Sequence, residues 1–140
     1  RAGRGLNSAI EHALGEARVL PKDIGYVCSC ANGTPGLDRM EARILKKMFG
    51  EGAPHMPVSS IKSMIGEAFS ASGAFAVSAA VGAIRQGFVP PTVNHRQADP
   101  QCALDIVPNE ARSQAVKTVL VTAADPYGQN SALVVGGYTR

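Results

Sequence analysis

Apolar and polar positions along this chain predict helices alternating with short strands. Leu6, Ile10 and Leu14 recur at i, i+4 and i+8, the spacing of a helix with one buried stripe. A Pro-Lys-Asp break at 21–23 ends that pattern. Positions 24–30 then form an apolar run, which predicts a strand buried on both faces, as in an α/β sheet.

A second helix is predicted from Asp38, whose carboxylate lies in the first helical turn, to a stop at Gly50. Its apolar stripe consists of Met40, Ile44, Leu45 and Met48. Its basic residues, Arg39, Arg43, Lys46 and Lys47, face elsewhere, which is typical of a solvated surface.

The stretch 56–60 predicts a short strand, and 68–86 predicts a third helix of unusual composition. That helix consists almost entirely of Ala, Ser, Gly and Val, and Arg85 is its first charged residue. A helix without a polar face is buried on most sides, and small side chains let neighbouring backbones approach closely.

After the third helix, Pro90 and Pro91 impose an extended segment, and 92–109 is a long irregular connection. Two further strands are predicted at 117–123 and 131–138. The loop between them is too short for a parallel crossover, so they pair antiparallel. The order α–β–α–β–α–β–β therefore predicts an α/β domain with a mixed sheet.

Composition and charge exclude several classes of function. The chain has 140 residues, 45% apolar and 18% charged, which suffices for one globular domain with a core. The net charge of +3 is spread without a basic block, so nucleic acid is not an expected partner. No apolar run approaches the ~20 residues of a membrane span, and the basic start lacks the apolar region of a signal peptide.

The three cysteines, Cys28, Cys30 and Cys102, match neither a disulfide framework nor a Cys-x-x-Cys site. Cys28 and Cys30 lie in an apolar run and are expected to be buried small side chains. Three free thiols are typical of a reducing compartment, so a cytoplasmic location is expected. His95 has no second candidate ligand nearby, and neither a metal nor a cofactor is expected.

A series of short motifs occurs along the chain in a fixed order. They are Gly25-Tyr26-Val27, Met40-Glu41-Ala42-Arg43, Lys46-Lys47-Met48-Phe49-Gly50, Val58-Ser59-Ser60-Ile61-Lys62-Ser63-Met64, Gly87-Phe88-Val89-Pro90-Pro91-Thr92-Val93-Asn94, Asp99-Pro100-Gln101-Cys102 and Leu104-Asp105-Ile106-Val107-Pro108-Asn109. This order resembles the C-terminal half of a β-ketoacyl synthase of the thiolase-like superfamily. The resemblance implies the C-terminal half of a thiolase-like fold, with layered helices on a mixed five-stranded sheet.

The catalytic motifs of that family are altered in this chain. The family's His-Gly-Thr motif corresponds to Asn32-Gly33-Thr34, and its Lys-Ser-x-x-Gly-His motif ends here in Glu67. Its Gly-Phe-Gly-Gly-x-Asn gate reads Asp125-Pro126-Tyr127-Gly128-Gln129-Asn130. The family's nucleophilic cysteine lies on the N-terminal half. The resemblance thus implies that both catalytic histidines are replaced and that the gate keeps Gly128 and Asn130 only.

These replacements bear directly on catalysis. Decarboxylation of a malonyl thioester develops negative charge on an enolate oxygen, which neutral or cationic donors stabilise. Asn32 can donate through its amide but cannot carry a proton as imidazole does. Glu67 would repel the enolate if ionised and could donate only if protonated, and the sequence leaves both forms open. A further alternative is that Glu67 fills the vacated site with an ion pair or hydrogen bonds.

Lys62 and Glu41 stand at positions where the resemblance implies a pair that braces the floor of the active site. We predict a buried or half-buried ion pair between them, because a lone buried charge costs about 3–5 kcal/mol. The alternative is two independent surface charges.

The pattern looks most like a chain-length factor, a catalytically silent subunit of type II polyketide synthases. The partners implied are an active ketosynthase, with which it forms a heterodimer and completes an acyl tunnel, and an acyl carrier protein. Residues 1–140 are then an incomplete ketosynthase C-terminal-like domain. Its N-terminal half is expected on another chain, through a split gene, a proteolytic cut or an artificial truncation.

Two alternatives stay open from the sequence. One is a divergent enzyme, namely a decarboxylase, condensing enzyme or thioester hydrolase in which Glu67 acts as general acid or base. The other is a purely structural module that binds no acyl group. A chain without its other half would expose one face of the sheet and the small-residue helix, an apolar patch that soluble monomers rarely show.

Overall fold

The computed structural model describes residues 3–138. Within them, the α-helices are Arg4–Ala17 (α1), Pro35–Phe49 (α2), Lys62–Ile65 (α3) and Ser72–Gln86 (α4), and none is long and apolar enough to span a membrane. The strands are Tyr26–Cys28 (β1), Pro57–Ser59 (β2), Phe88–Val89 (β3), Asp105–Ile106 (β4), Arg112–Ser113 (β5), Thr118–Ala124 (β6) and Asn130–Gly136 (β7). Short 3₁₀ helices lie at Pro21–Asp23, Gly50–His55, Phe69–Ala71 and Pro100–Cys102.

Five strands form one mixed sheet in the order β4-β2-β1-β6-β7. β1 is parallel to both β2 and β6, and β2 is parallel to β4. β6 and β7 pair antiparallel along their whole length, while β3 and β5 form a separate antiparallel pair. The predicted α/β fold, with a mixed five-stranded sheet and an antiparallel final pair, is confirmed.

The strands differ in extent from the runs that predict them. β1 covers Tyr26–Cys28 rather than 24–30, and β4 lies inside the connection predicted to be irregular. An apolar run reports burial on the faces of a sheet, whereas a strand needs a partner along its edge. Burial therefore extends past the last paired residue, and a two-residue strand leaves no alternating pattern to detect.

The sheet separates two apolar clusters, because alternate side chains of a strand point to opposite faces. Val27 lies in one cluster, and Tyr26 and Cys28 lie in the other. The first cluster is completed by α1 and α2, through residues that include Leu6, Ile10, Leu14, Ile44 and Leu45. The second is completed by α4, through Ala76, Ala80 and Ala83. The predicted apolar stripes of α1 and α2 thus lie against the sheet.

α4 differs from its prediction in two respects. It begins at Ser72 rather than at 68, and its buried residues are alanines on the side that faces the sheet. Phe75 and Val81 point outward, with 49% and 40% of their surface exposed. The sheet covers one face of this helix only, so α4 is exposed on its other face, as the sequence predicts for a chain without its other half. The opposite face is an uncovered apolar surface.

Candidate functional site

The carboxyl ends of β1, β2 and β6 meet at one edge of the sheet, since these strands run parallel. The loop after β1 carries Asn32, the chain after β2 leads through α3 to Glu67, and β6 leads into the loop 125–129. A cleft of about 850 Å³ opens at this edge and is lined by all three segments. Open α/β sheets bind ligands at this edge. The structure thus brings all three altered motifs into one cleft.

Glu67 is the centre of a hydrogen-bonded network in this cleft. Its Oε2 accepts from Lys62 Nζ at 2.9 Å and from Asn32 Nδ2 at 3.1 Å. Its Oε1 accepts from Ser72 Oγ at 2.7 Å and from the backbone N of Phe69 at 3.2 Å. Both carboxylate oxygens are therefore occupied by donors from three parts of the chain.

The contacts of Glu67 fix its protonation state. The hydrogen-bonded Lys62 ammonium is the largest influence and lowers the pKa of Glu67 from 4.5 to about 2, against a smaller opposing effect of burial. The donors Ser72 and Asn32 lower the pKa further. Glu67 is thus an anion at neutral pH, bound into an ion pair and hydrogen bonds.

Acidification is expected to release Glu67 from Lys62 only at low pH. Because the folded pKa is depressed, the contact contributes stability that is fully present above about pH 4.5 and is lost as the pH falls towards 2. A carbon-13 NMR titration of the Glu67 carboxyl group, assigned with the Glu67→Gln variant, measures this directly. A midpoint at or above 4.5 would show that the network does not form in solution.

Asn32 is held from several sides. Its Oδ1 accepts from the backbone N of Thr34 at 3.1 Å, while its Nδ2 donates to Glu67. The carboxylate of Asp38, in the first turn of α2, accepts from the backbone N of Asn32 at 3.2 Å and of Gly33 at 3.1 Å. The Asn32 amide is therefore engaged within the protein and is not aimed at a substrate oxygen.

The loop corresponding to the family gate is closed on itself. Asp125 Oδ1 accepts from the backbone N of Tyr127 and of Gln129, each at 2.9 Å. Asn130 Nδ2 donates to the carbonyl of Gly128 at 2.8 Å, and Gly128 has φ +94°, a left-handed conformation that favours glycine. Tyr127 is 92% exposed at the mouth of the cleft. The two family residues that this loop keeps thus shape the turn.

The predicted ion pair between Lys62 and Glu41 is wrong. Lys62 Nζ pairs with Glu67 and donates to the carbonyl of Cys30 at 3.1 Å. α3 is a single helical turn, and the chain after it folds back so that Glu67 lies beside Lys62, five positions earlier. The Glu67 carboxylate therefore forms the ion pair with the Lys62 ammonium. Glu41 is buried as predicted, at 2% exposure, but without a cation within ion-pair distance in the described part of the chain.

Neutral donors satisfy Glu41 instead. Ser29 Oγ donates to its Oε2 at 2.6 Å, and Thr122 Oγ1 donates to its Oε1 at 2.5 Å. The backbone N of Cys30 donates to Oε1 at 3.2 Å. These donors come from the ends of β1 and β6, so Glu41 ties α2 to the floor of the cleft.

Some features of the site were not predicted. Ser72, the first residue of α4, donates to Glu67 from five positions further along the chain, and that short spacing was the available signal. A second cavity of about 430 Å³ lies between α2 and the segment 95–106, beside Leu45 and Ile106. Only the length of the 92–109 connection hinted at it. Within residues 3–138, no three His, Cys, Asp or Glu side chains are grouped to hold a metal ion.

The fold and the cleft define a thiolase-like α/β domain. Residues 1–96 match the family model described as β-ketoacyl synthase, C-terminal domain. These are 96 of the 140 residues, and the chain belongs to this family.

Curated relatives of this chain include polyketide synthase subunits and a 3-oxoacyl-[acyl-carrier-protein] synthase. It is 43% identical over 133 residues to the tetracenomycin polyketide synthase ketoacyl synthase alpha subunit of Streptomyces glaucescens. The aligned region covers 95% of this chain and 31% of that protein. It is 38% identical over 131 residues to 3-oxoacyl-[acyl-carrier-protein] synthase 2 of Coxiella burnetii, covering 94% of this chain and 32% of that protein. The chain spans about a third of the length of these relatives.

Solved structures agree with this placement. The ishigamide ketosynthase/chain length factor superposes with a TM-score of 0.91 at 34% identity, covering 96% of this chain and 33% of that one. A type II polyketide synthase acyl carrier protein in complex with its ketosynthase bound to the hexaketide superposes with a TM-score of 0.92 at 31% identity. That match covers 97% of this chain and 34% of the other.

Proposed function

We propose that this domain belongs to a non-catalytic, chain-length-factor-like subunit that pairs with an active ketosynthase and helps to form its acyl tunnel. One observation carries the proposal. The position that corresponds to a catalytic histidine is Glu67, an anion whose two oxygens are occupied by Lys62, Asn32, Ser72 and the backbone of Phe69.

The chemistry of this network opposes condensation by the subunit. An enolate oxygen needs donors aimed at it, and Glu67 instead takes up the donors at this edge of the cleft. A fixed negative charge would also repel the enolate. Asn32 donates to Glu67 and so offers no replacement for the second histidine.

The proposed partners follow from the fold and the relatives. The outward face of α4, with Phe75 and Val81, supports an N-terminal half of the ketosynthase fold packed against it, which we place on a separate chain. An active ketosynthase and an acyl carrier protein are proposed because a related structure contains a carrier protein in complex with its ketosynthase. This subunit then shapes the product and leaves bond formation to its partner.

Replacing Glu67 by Gln tests the proposal in the complex reconstituted with its ketosynthase and carrier protein. Product formation is expected to stay within about threefold of the wild type, because a silent subunit contributes no charge to the reaction. Glu110→Gln, at an exposed position, is the matched control. Loss of product by about a hundredfold or more, with the fold and the pairing intact, would assign the chemistry to Glu67.

A second candidate is a divergent ketosynthase-fold enzyme that uses Glu67. The 43% identity to a relative named ketoacyl synthase alpha subunit favours it. A general acid must be protonated at the working pH, whereas Lys62 holds the pKa of Glu67 at about 2. Decarboxylation of malonyl carrier protein by the complete protein without a partner ketosynthase would support this candidate, and its absence in the presence of a functional pair would exclude it.

A further inference from the structure

Phe69 combines two unfavourable features in this domain. Its backbone has φ +48°, the left-handed region that costs an aromatic residue about 1–2 kcal/mol. Its side chain is 83% exposed. Strained residues persist where surrounding contacts hold them and commonly mark functional positions.

Glu67 supplies the contacts that hold this conformation. The backbone N of Phe69 donates to Glu67 Oε1, and Ser72 Oγ at the start of α4 donates to the same oxygen. The other oxygen is anchored by Lys62 and Asn32. The carboxylate therefore spans the turn 67–72 and fixes the direction in which the Phe69 ring leaves the backbone.

The surroundings of Phe69 indicate what the ring is presented to. Ile65, 49% exposed, lines the same cleft, and Phe75 extends the apolar surface along α4. The charges beside them, Lys62 and Glu67, neutralise each other. An exposed apolar surface next to an internally paired charge fits an apolar protein surface better than a charged ligand or bulk water.

We infer that Glu67 is a positioning residue that holds Phe69 as an anchor for the N-terminal half of the ketosynthase fold, whose apolar surface receives the ring. The inference rests on the proposed function, in which that half covers this side of the domain. The related structures are long enough to include such a half, since this chain accounts for only 33% and 34% of their lengths. Glu67 thereby has a structural task in place of a catalytic one.

Thermal unfolding of the complete protein, assembled with its N-terminal half and ketosynthase, tests the anchor. Phe69→Ala is expected to lower Tm by about 5–10 °C through loss of a buried ring. Phe69→Gly is expected to melt above Phe69→Ala, because glycine adopts the left-handed conformation without strain. Tyr138→Ala, which removes an 88% exposed aromatic outside the cleft, is the matched control and is expected to leave Tm unchanged.

The result that overturns the anchor is a Phe69→Ala variant with the Tm of the control and a Phe69→Gly variant that is more stable than the wild type. Together, these two results would show that the Phe69 ring stays exposed to water in the assembled protein. Where Phe69→Ala is not recovered folded, Phe69→Leu replaces it with about half the expected loss of Tm. An unchanged Tm for the leucine variant likewise contradicts the inference.

A double-mutant cycle tests the positioning role of Glu67. If Glu67 acts through Phe69, Glu67→Gln lowers Tm in the wild-type background and much less in the Phe69→Ala background. Additive effects would remove the link between the two residues. Failure of the proposed function has a different signature, namely a collapse of product formation in Glu67→Gln at unchanged Tm.

Discussion

Replacing Glu41 by Ala is expected to lower the free energy of unfolding by about 3–5 kcal/mol, since it leaves buried donors without their acceptor. The donors are Ser29 Oγ, Thr122 Oγ1 and the backbone N of Cys30. Part of the loss is offset because Thr122 Oγ1 also accepts from Cys30 N at 3.0 Å. Urea unfolding of the complete protein measures the change.

Two variants frame the result for Glu41. Glu41→Gln keeps one acceptor oxygen but places an amide N–H donor against the other buried donors. Its loss in free energy of unfolding is therefore expected to be smaller than that of Glu41→Ala. Glu110→Ala, at an exposed position, is the matched control and is expected to change stability by less than about 0.5 kcal/mol. A Glu41→Ala variant as stable as this control would mean that the buried network does not bear on stability.

Placing carboxylates on the outward face of α4 is expected to prevent assembly of the complete protein. The double variant Phe75→Asp/Val81→Asp buries two unpaired charges if the N-terminal half covers this face, each at a cost of several kcal/mol. Soluble assembled protein is then expected to fall at least about tenfold, which size-exclusion chromatography of the complete protein measures. Ser8→Asp, exposed on α1, is the matched control for added charge.

An assembly that tolerates both carboxylates on α4 would show that this face meets water. The N-terminal half would then have to pack elsewhere. The same outcome would also remove the support that α4 gives to a half-domain, and the small-residue composition of this helix would need another explanation.

The elements with strong periodicity could be predicted from the sequence. The α1 stripe of Leu6, Ile10 and Leu14 lies in the core, and the short loop after β6 forces the antiparallel pairing seen with β7. In both cases the local pattern has one favourable solution. β4 had no such pattern, because two paired residues are too few to show alternation.

The candidate site was predicted less completely than the fold. The family resemblance assigned Asn32 and Glu67 to the two histidine positions, and the structure joins them by a hydrogen bond. Whether Lys62 binds Glu41 or Glu67 depends on the direction of a one-turn helix, which residue types do not determine. The start of α4 was displaced to Ser72 for a similar reason, since the contacts of Glu67 hold Phe69 in a left-handed conformation that a right-handed α-helix cannot include.

The thiols of this chain are separated by the sheet itself. Cys28 lies in the cluster under α4, whereas Cys30, beyond the end of β1, lies in the cluster under α1 and α2. Burial raises the pKa of Cys28 to about 11 and raises that of Cys30 as well, so both are poor nucleophiles. Cys102 is only partly buried, at the wall of the second cavity. The chain thus carries a single accessible attachment point for a fluorophore or spin label, at the wall of the second cavity.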